Sequence, residues 1–190
     1  LENSTCATNA DSGSNTGDLD TTVAAVEDKQ PRVYHKFIIP TEEKGKLKAI
    51  EFQNEEKFNF AFDIVDELGR NKPEKLAMLH ISEDGTERRF TFQDMKKESA
   101  RAANYFKSLG IKRGDRVMLV LKRHYQFWFA ILGLHKLGAI AIPATNQLVK
   151  HDLEYRFNAA EVSAIVCTAD GNVADQVDLA AAEAPCLKTK

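Results

Sequence analysis

The sequence of 190 residues has little of what disulfide-bonded, metal-binding or membrane-spanning proteins need. It contains three cysteines, Cys6, Cys167 and Cys186, an odd number whose spacings match no zinc site. No apolar run approaches the roughly 20 residues that a membrane-spanning helix needs. The formal net charge of -2 indicates no basic surface for nucleic acid. Because free cysteines fit a reducing compartment, we predict a cytoplasmic protein.

The first 28 residues of the chain contain no aromatic and no basic residue. No aromatic residue precedes Tyr34 and no arginine precedes Arg32, so we predict neither a signal peptide nor a mitochondrial transit peptide. Residues 1–30 are rich in Ser, Thr, Asn, Asp and Gly, which predicts a disordered tail because such residues bury too little apolar surface. Residues 31–57 form a transitional segment. Its charged part, residues 41–56, predicts a solvated helix or loop.

Motifs for catalysis are also missing. No G-x-G-x-x-G follows a strand, and there is neither a Walker-A phosphate loop nor a nucleophile elbow. The five histidines are scattered, so no metal site is predicted. His135 falls on an apolar helix, which favours a hydrogen-bonded core residue. The sequence therefore predicts no catalytic and no metal-binding residue within this chain.

An α/β pattern begins at Phe58. Apolar spacing predicts a helix over residues 58–68 that ends near Gly69, followed by two short antiparallel strands. Thr91 and Asp94 have the spacing of a capping box. The helix that they begin has apolar residues at three- and four-residue steps, which indicates one buried face.

Three continuous apolar runs follow, at residues 117–121, 139–142 and 164–167. Continuous runs are typical of strands that are covered on both faces. An apolar helix over residues 125–137, predicted to be buried, separates the first two runs, and an amphipathic helix with Leu153, Tyr155 and Phe157 separates the second and third. Strands that alternate with helices predict an α/β fold, a mostly parallel sheet with flanking helices. We expect a further strand to begin near Lys190.

Ligands of open parallel sheets bind beyond the carboxyl ends of the strands. Two such ends fall at residues 122–125 and 143–147, and the second segment is polar and contains Pro143. Loop position alone also fits an ordinary strand-to-helix connection. These two loops are the candidate binding site.

Four stretches carry a family resemblance. They are FNFAFDIVDELGR (58–70), FTFQDMKKESARAANYFKSLGIKRGDRVMLVLKR (90–123), FWFAILGLHKLGAIAIPATNQL (127–148) and DLEYRFNAAEVSAIV (152–166). Their order and spacing resemble the start of AMP-forming acyl-CoA synthetases. The closest resemblance is to the medium-chain and acetyl-CoA synthetase-like branch.

The resemblance implies an ATP-dependent ligase that forms an acyl-adenylate and then an acyl-CoA, with ATP, coenzyme A and Mg²⁺ as cofactors and a small-molecule carboxylate as substrate. It also implies that residues 58–190 are an incomplete N-terminal α/β subdomain, part of the large domain of an adenylate-forming enzyme. The family's phosphate loop and catalytic lysine do not occur in this chain. We therefore expect a fragment that is inactive alone and that binds none of these cofactors tightly by itself.

Two residues are candidate contacts for coenzyme A. Gln147 matches a position where the medium-chain branch contacts coenzyme A, and its amide can both donate and accept hydrogen bonds. Arg123 lies at a neighbouring strand end, where a guanidinium can meet a phosphate. A surface ion pair is the competing interpretation of Arg123.

Two other interpretations fit the same sequence. The chain can be a stand-alone α/β binding or interaction module without catalysis, with the acidic tail as its contact segment. It can also be a different adenylating relative, such as a domain that loads a carrier protein or a luciferase-like enzyme. Neither the acyl chain length nor an oligomeric state is predicted.

Overall fold

The computed structural model describes residues 33–169 and 171–190. The tail predicted for residues 1–30 lies outside the described residues. The domain boundaries at residues 30 and 57 stay predictions. The described residues form two antiparallel hairpins, one three-stranded parallel sheet and five α-helices.

The strands and helices occur in the following chain order. The strands are β1 (Ile38–Glu43), β2 (Lys46–Phe52), β3 (Leu76–Ile81), β4 (Glu87–Thr91), β5 (Arg116–Val120), β6 (Ile140–Pro143) and β7 (Ala164–Cys167). The α-helices are α1 (Glu67–Asn71), α2 (Phe92–Ser108), α3 (Gln126–Leu137), α4 (Lys150–Ala159) and α5 (Val173–Ala181). Single turns of other winding are the 3₁₀ turns Val33–Lys36 and Glu55–Lys57 and the π-helical turn Ala61–Asp66.

The first hairpin, β1–β2, corrects a prediction. We predict a solvated helix or loop over residues 41–56, but most of this segment is an antiparallel hairpin. Lys44 and Gly45 connect the strands with positive φ angles of 51° and 71°, as in the two-residue turns that match hairpin twist. All residues of the hairpin except Ile38 are exposed. Its many charged side chains are therefore compatible with a strand, because they remain in water.

The helix predicted to begin at Phe58 is present, but its winding and its end differ. The π-helical turn leads directly into α1, which continues past Gly69 to Asn71. Gly69 lies inside the helix, where a Cβ would lie 2.8 Å from the Phe92 carbonyl oxygen. Its role is therefore close packing rather than helix termination.

The second hairpin and the helix after it confirm their predictions. β3 pairs antiparallel with β4, and α2 begins directly after β4. Thr91 and Asp94 form the predicted capping box, in which the Thr91 N–H donates to Asp94 Oδ2 at 2.9 Å and the Asp94 N–H donates to Thr91 Oγ1 at 3.2 Å. Gly110, with φ of 84°, follows the end of α2, a common position for glycine.

The three-stranded sheet confirms the predicted α/β fold. All its strands are parallel in the order β6-β5-β7, with Leu119 opposite both Pro143 and Val166. Val117 and Leu119 face α2 and α3, whereas Met118 and Val120 face α4 and α5. A strand covered on both faces needs apolar residues at successive positions, which explains its continuous apolar run.

Two predicted burial patterns are wrong in part. Trp128 on the apolar helix α3 is 51% exposed, and Tyr155 on α4 is 68% exposed. Two sides of α3 are buried: Ala130 and Leu134 pack against α2 and β5, and Leu132 packs against the π-helical turn and α2. Apolar composition indicates which residues can be buried, whereas the neighbouring elements decide which of them are.

Helices α2 and α3 approach each other closely. A Cβ on Gly133 would lie 2.9 Å from Ala102 Cβ and from the Ala103 nitrogen, so glycine is needed at this contact. On the next turn of α3, Lys136 Nζ binds Asp66 Oδ1 at 2.9 Å and the Lys96 carbonyl at 3.2 Å. The side chains of this ion pair are only 6% and 7% exposed, so the pair joins three elements inside the protein.

The chain returns to the sheet after α5. Thr189 forms a parallel bridge with Ala164, and its carbonyl accepts a hydrogen bond from the Ile165 N–H at 3.0 Å. The backbone thus lies beside β7 at the position where we expect a further strand to begin.

Candidate functional site

The candidate site is the edge of the parallel sheet at which all three strands end. Because β5, β6 and β7 run parallel, the segments that follow them leave from the same edge. The Ala144 N–H donates to the Leu119 carbonyl at 2.9 Å, and the Thr168 N–H donates to the Val120 carbonyl at 3.2 Å. These hydrogen bonds extend the sheet by one residue on each side of β5 and bring the three connecting segments together.

The loop after β6 presents Gln147 to solvent. The Gln147 N–H donates to Thr145 Oγ1 at 3.3 Å, a local turn, and Leu148 is buried in the core next to it. Leu148 thereby anchors the loop while the Gln147 side chain stays exposed. Within the part of the chain that the structure describes, the Gln147 amide makes no side-chain hydrogen bond. Its donor and acceptor are available at the carboxyl edge.

The loop after β5 presents Arg123. Lys122 has a positive φ of 46°, and the His124 N–H donates to the Leu121 carbonyl at 3.0 Å, so the chain turns sharply before α3. Arg123, at this turn, has an exposed side chain. Among residues 33–169 and 171–190, Arg123 forms no ion pair. The surface ion pair, which is the competing interpretation of Arg123, is therefore not observed in these residues.

An aromatic cluster fixes where this loop enters α3. Tyr125 contacts His80 at 5.3 Å, Phe90 at 5.0 Å and Phe129 at 5.8 Å between ring centroids. The guanidinium of Arg88 lies over the Tyr125 ring at 5.8 Å. The second hairpin thus packs on the start of α3, and the loop that carries Arg123 has a rigid end.

Sequence reasoning missed Thr168, which directly follows β7. This residue is 8% exposed, and its buried Oγ1 has no hydrogen-bond partner. A threonine after an apolar run is an unremarkable signal, so nothing in the sequence identifies it. At the same edge of the sheet, Lys122 Nζ lies 4.0 Å from the position that a Cβ on Gly171 would occupy. The side chain of Lys122 therefore extends from the β5 loop toward the β7 loop.

His135 does not match its predicted role. Its Nδ1 is buried without a hydrogen-bond partner, whereas we predict a hydrogen-bonded core residue. Its backbone carbonyl accepts from Asn59 Nδ2 at 2.8 Å and from the Gly138 N–H at 3.0 Å. Burial lowers the pKa of the imidazole, which favours the neutral form. A periodic pattern locates a residue on a helix face but does not supply partners for its side chain.

Metal ligands do not gather in the described residues. No three side chains of His, Cys, Asp or Glu approach each other as an ion-binding group there.

The Cys167 thiol, at the end of β7, is partly buried, and this burial raises its pKa. No helix among the described residues is long and apolar enough to cross a bilayer.

Comparisons with known proteins bear on this architecture. A family model described as "AMP-binding enzyme" matches residues 65–190. Acyl-coenzyme A synthetase ACSM5, mitochondrial, of Rattus norvegicus is 38% identical over 141 residues, which cover 71% of this chain and 24% of that protein. Acyl-coenzyme A synthetase ACSM2A, mitochondrial, of Homo sapiens is 36% identical over 141 residues, with 70% and 24% covered. The chain thus spans about a quarter of the length of these relatives.

Solved structures share the fold. The N-terminal domain of FACL13 from Mycobacterium tuberculosis aligns with a TM-score of 0.61 at 23% identity, covering 69% of this chain and 32% of that one. The acyl-CoA synthetase of Brucella canis aligns with a TM-score of 0.59 at 26% identity, covering 70% and 24%.

The comparisons correct the predicted location. Several relatives are named mitochondrial, so the prediction of a cytoplasmic protein is wrong. That prediction relied on the cysteines, and the lack of an arginine before Arg32 supported it. The first residues lie outside the part that matches the family.

Proposed function

The chain belongs to the AMP-binding enzyme family, and we propose that it is part of an ATP-dependent, AMP-forming carboxylate–CoA ligase. In this reaction a carboxylate attacks the α-phosphorus of ATP and releases pyrophosphate. The thiol of coenzyme A then attacks the acyl carbonyl and releases AMP. The observation that carries the proposal is the identity of 34–38% to acyl-coenzyme A synthetases over residues that build the sheet and its carboxyl edge.

The residues of this chain fit a binding role in the second step. The exposed Gln147 amide can bond a pantetheine or nucleotide group, and the exposed Arg123 guanidinium can bond a phosphate. Both lie on neighbouring segments of one edge, since β5 and β6 are paired. We therefore assign this edge to coenzyme A, with Gln147 and Arg123 as its contacts.

We assign adenylation to residues other than Gln147 and Arg123. ATP chemistry needs cations and backbone donors placed around the phosphates. This chain has no glycine-rich phosphate loop. Mg²⁺ supplies charge neutralisation on ATP in such reactions, but the described residues gather no acidic group to hold it. What this part of the protein does is bind and orient coenzyme A beside the sheet.

The substrate class and the location follow the relatives. We propose a small or medium-chain carboxylate as the acyl donor, within fatty-acid metabolism, and a mitochondrial location. The names of the relatives, mitochondrial acyl-coenzyme A synthetases, support an acyl donor and the location. The chain-length class rests on the resemblance of the sequence to the medium-chain branch.

The test uses the product of the complete reading frame that contains this chain. The purified protein is given ATP, Mg²⁺, coenzyme A and straight-chain carboxylates from acetate to dodecanoate, and AMP and thioester are measured together. We expect equal amounts of both products with at least one carboxylate. A reading frame that stops after Lys190, or a longer protein that releases no AMP with any carboxylate, would overturn the proposal in favour of a binding module without catalysis.

A further inference from the structure

An apolar pocket lies between the first hairpin and the π-helical turn. Its volume is about 320 Å³, at the lower end of the range of about 300–1,000 Å³ that holds small ligands. Its apolar lining residues are Phe37, Ile38, Phe52, Phe58 and Ile64. The size suits one short alkyl chain or one aromatic ring.

The walls of this pocket are held by contacts that do not depend on a ligand. The Gln53 N–H donates to the Phe37 carbonyl at 2.7 Å, directly after the last pair of the hairpin. Ile38 is opposite Phe52 in the register, so their side chains share one face of the hairpin. Phe37 and Phe58 pack edge to face at 4.9 Å between ring centroids. The pocket is therefore preformed.

The charge at the pocket disfavours an anionic ligand. Glu55 is the charged residue of the lining, and Gln53 adds an amide. Lys36, the cation next to Phe37 in the sequence, binds Glu67 Oε1 at 2.8 Å and is thus engaged elsewhere. A carboxylate in the pocket would meet the negative charge of Glu55 without a cation in the lining to compensate. A neutral group can instead bond to Gln53 or Glu55.

We propose that this pocket binds the alkyl or aryl part of a small neutral amphiphile, such as a medium-chain alcohol. The apolar side chains take up the hydrocarbon part, and Gln53 and Glu55 bond to the neutral polar group at the rim. This inference rests on the pocket itself and not on the proposed ligase function.

The experiment measures binding to the 190-residue chain with the neutral fluorophore N-phenyl-1-naphthylamine, followed by competition with 1-octanol and with octanoate at neutral pH. The two competitors have the same chain length and differ in the charge of the polar group. We expect saturable binding to one site. Octanol displaces the probe at least about fivefold more effectively than octanoate, the factor that one unit-charge contact in water corresponds to. In Glu55→Gln this preference shrinks because octanoate gains affinity.

Two further variants locate the site. Ile64→Trp fills the pocket and is expected to weaken probe binding by about tenfold or more, since the volume is small. Leu79→Trp places the same side chain on the exposed strand β3 and serves as the control. Circular dichroism verifies that both variants are folded, and Phe58→Ala, which removes one wall, provides a second loss of binding if Ile64→Trp does not fold. Probe binding that does not saturate, that is equal in the folded pocket variants and in Leu79→Trp, or that octanoate and octanol displace equally, overturns the proposal.

Discussion

At the scale of single residues, the partners of a side chain decide its contribution. Lys136 and Asp66 illustrate this, because both are charged and nearly enclosed by the protein. The ammonium of Lys136 also lies 5.6 Å from the centroid of the Phe62 ring. Charge compensation inside the protein thus depends on one carboxylate, and neither residue type nor spacing indicates this pair in the sequence, since its members are 70 residues apart.

Removal of that carboxylate should be costly. Asp66→Asn leaves the buried ammonium without a counter-charge, and we expect a loss of about 3–5 kcal/mol in the free energy of unfolding. Glu43→Gln, which breaks the exposed pair with Lys48, is the control and should cost at most about 1 kcal/mol. Urea denaturation of the purified variants measures both. Equal losses in the two variants would contradict a buried, compensated pair.

Gln147 and Arg123 give a prediction for the complete protein. In Gln147→Ala we expect the KM for coenzyme A to rise about threefold to tenfold, the effect of one lost hydrogen bond of about 0.5–1.5 kcal/mol. Arg123→Ala should raise it further, because hydrogen bonds from charged groups contribute about 1.5–3 kcal/mol.

The control for these two variants is pyrophosphate exchange, which occurs before coenzyme A is used and should not change. Gln93→Ala, an exposed glutamine on α2, should affect neither measurement. If both variants reduce exchange and leave the KM for coenzyme A unchanged, the assignment of this edge is wrong.

At the scale of elements, the capping box of α2 can be tested by pH. The N–H and hydroxyl of Thr91 bond to the Asp94 carboxylate and lower its pKa below the ordinary 3.8. Since these bonds exist only in the folded protein, the stability from Asp94 is fully present above pH 3.8 and is lost as the pH falls through the lower, folded pKa.

Two substitutions follow from this cap. Thr91→Ala should cost about 1 kcal/mol at neutral pH. The difference between the native chain and Asp94→Asn in urea denaturation should be largest at neutral pH and should shrink below pH 3.8. A difference that stays constant across this range would show that the Asp94 charge contributes nothing to the cap.

Elements with strong periodicity could be predicted from the sequence, and elements set by distant contacts could not. The capping box, α2 and the three parallel strands follow from local spacing and apolar runs. The first hairpin was missed because its strands are exposed on both faces and have no apolar face to indicate it. Gly69 was expected to end a helix, but its packing against Phe92, 23 residues later (92 − 69 = 23), keeps it inside one.

The same distinction, between features with a local signal in the sequence and features set by distant contacts, applies to the candidate site. The loops that carry Gln147 and Arg123 could be placed because apolar strands precede them and parallel strands end at one edge. Thr168 could not be identified, because it is distinguished only by a buried hydroxyl without a hydrogen-bond partner, which the sequence does not show. The side chain of Lys122 reaches toward Gly171, 49 residues later (171 − 122 = 49), and such a contact has no local signature.

At the scale of the whole molecule, we propose that the chain holds the coenzyme A edge without the groups that transfer an adenylyl moiety. We expect no pyrophosphate exchange above a buffer blank from the purified 190-residue chain with ATP, Mg²⁺ and any carboxylate. Circular dichroism of the same chain checks that it is folded in this assay. An exchange signal above the blank that co-purifies with the chain, and that does not come from a contaminating ligase, would contradict this division of roles.

The strand order β6-β5-β7 also has a consequence for synthesis on the ribosome. β5 becomes the central strand, yet both of its partners are translated after it. Twenty residues separate Val120 from Ile140 (140 − 120 = 20), which take about 1–4 s at about 5–20 residues per second. During that time the most buried strand of the sheet has no partner strand, whereas each hairpin strand meets its partner within a few residues. This interval is when the nascent chain most needs a chaperone.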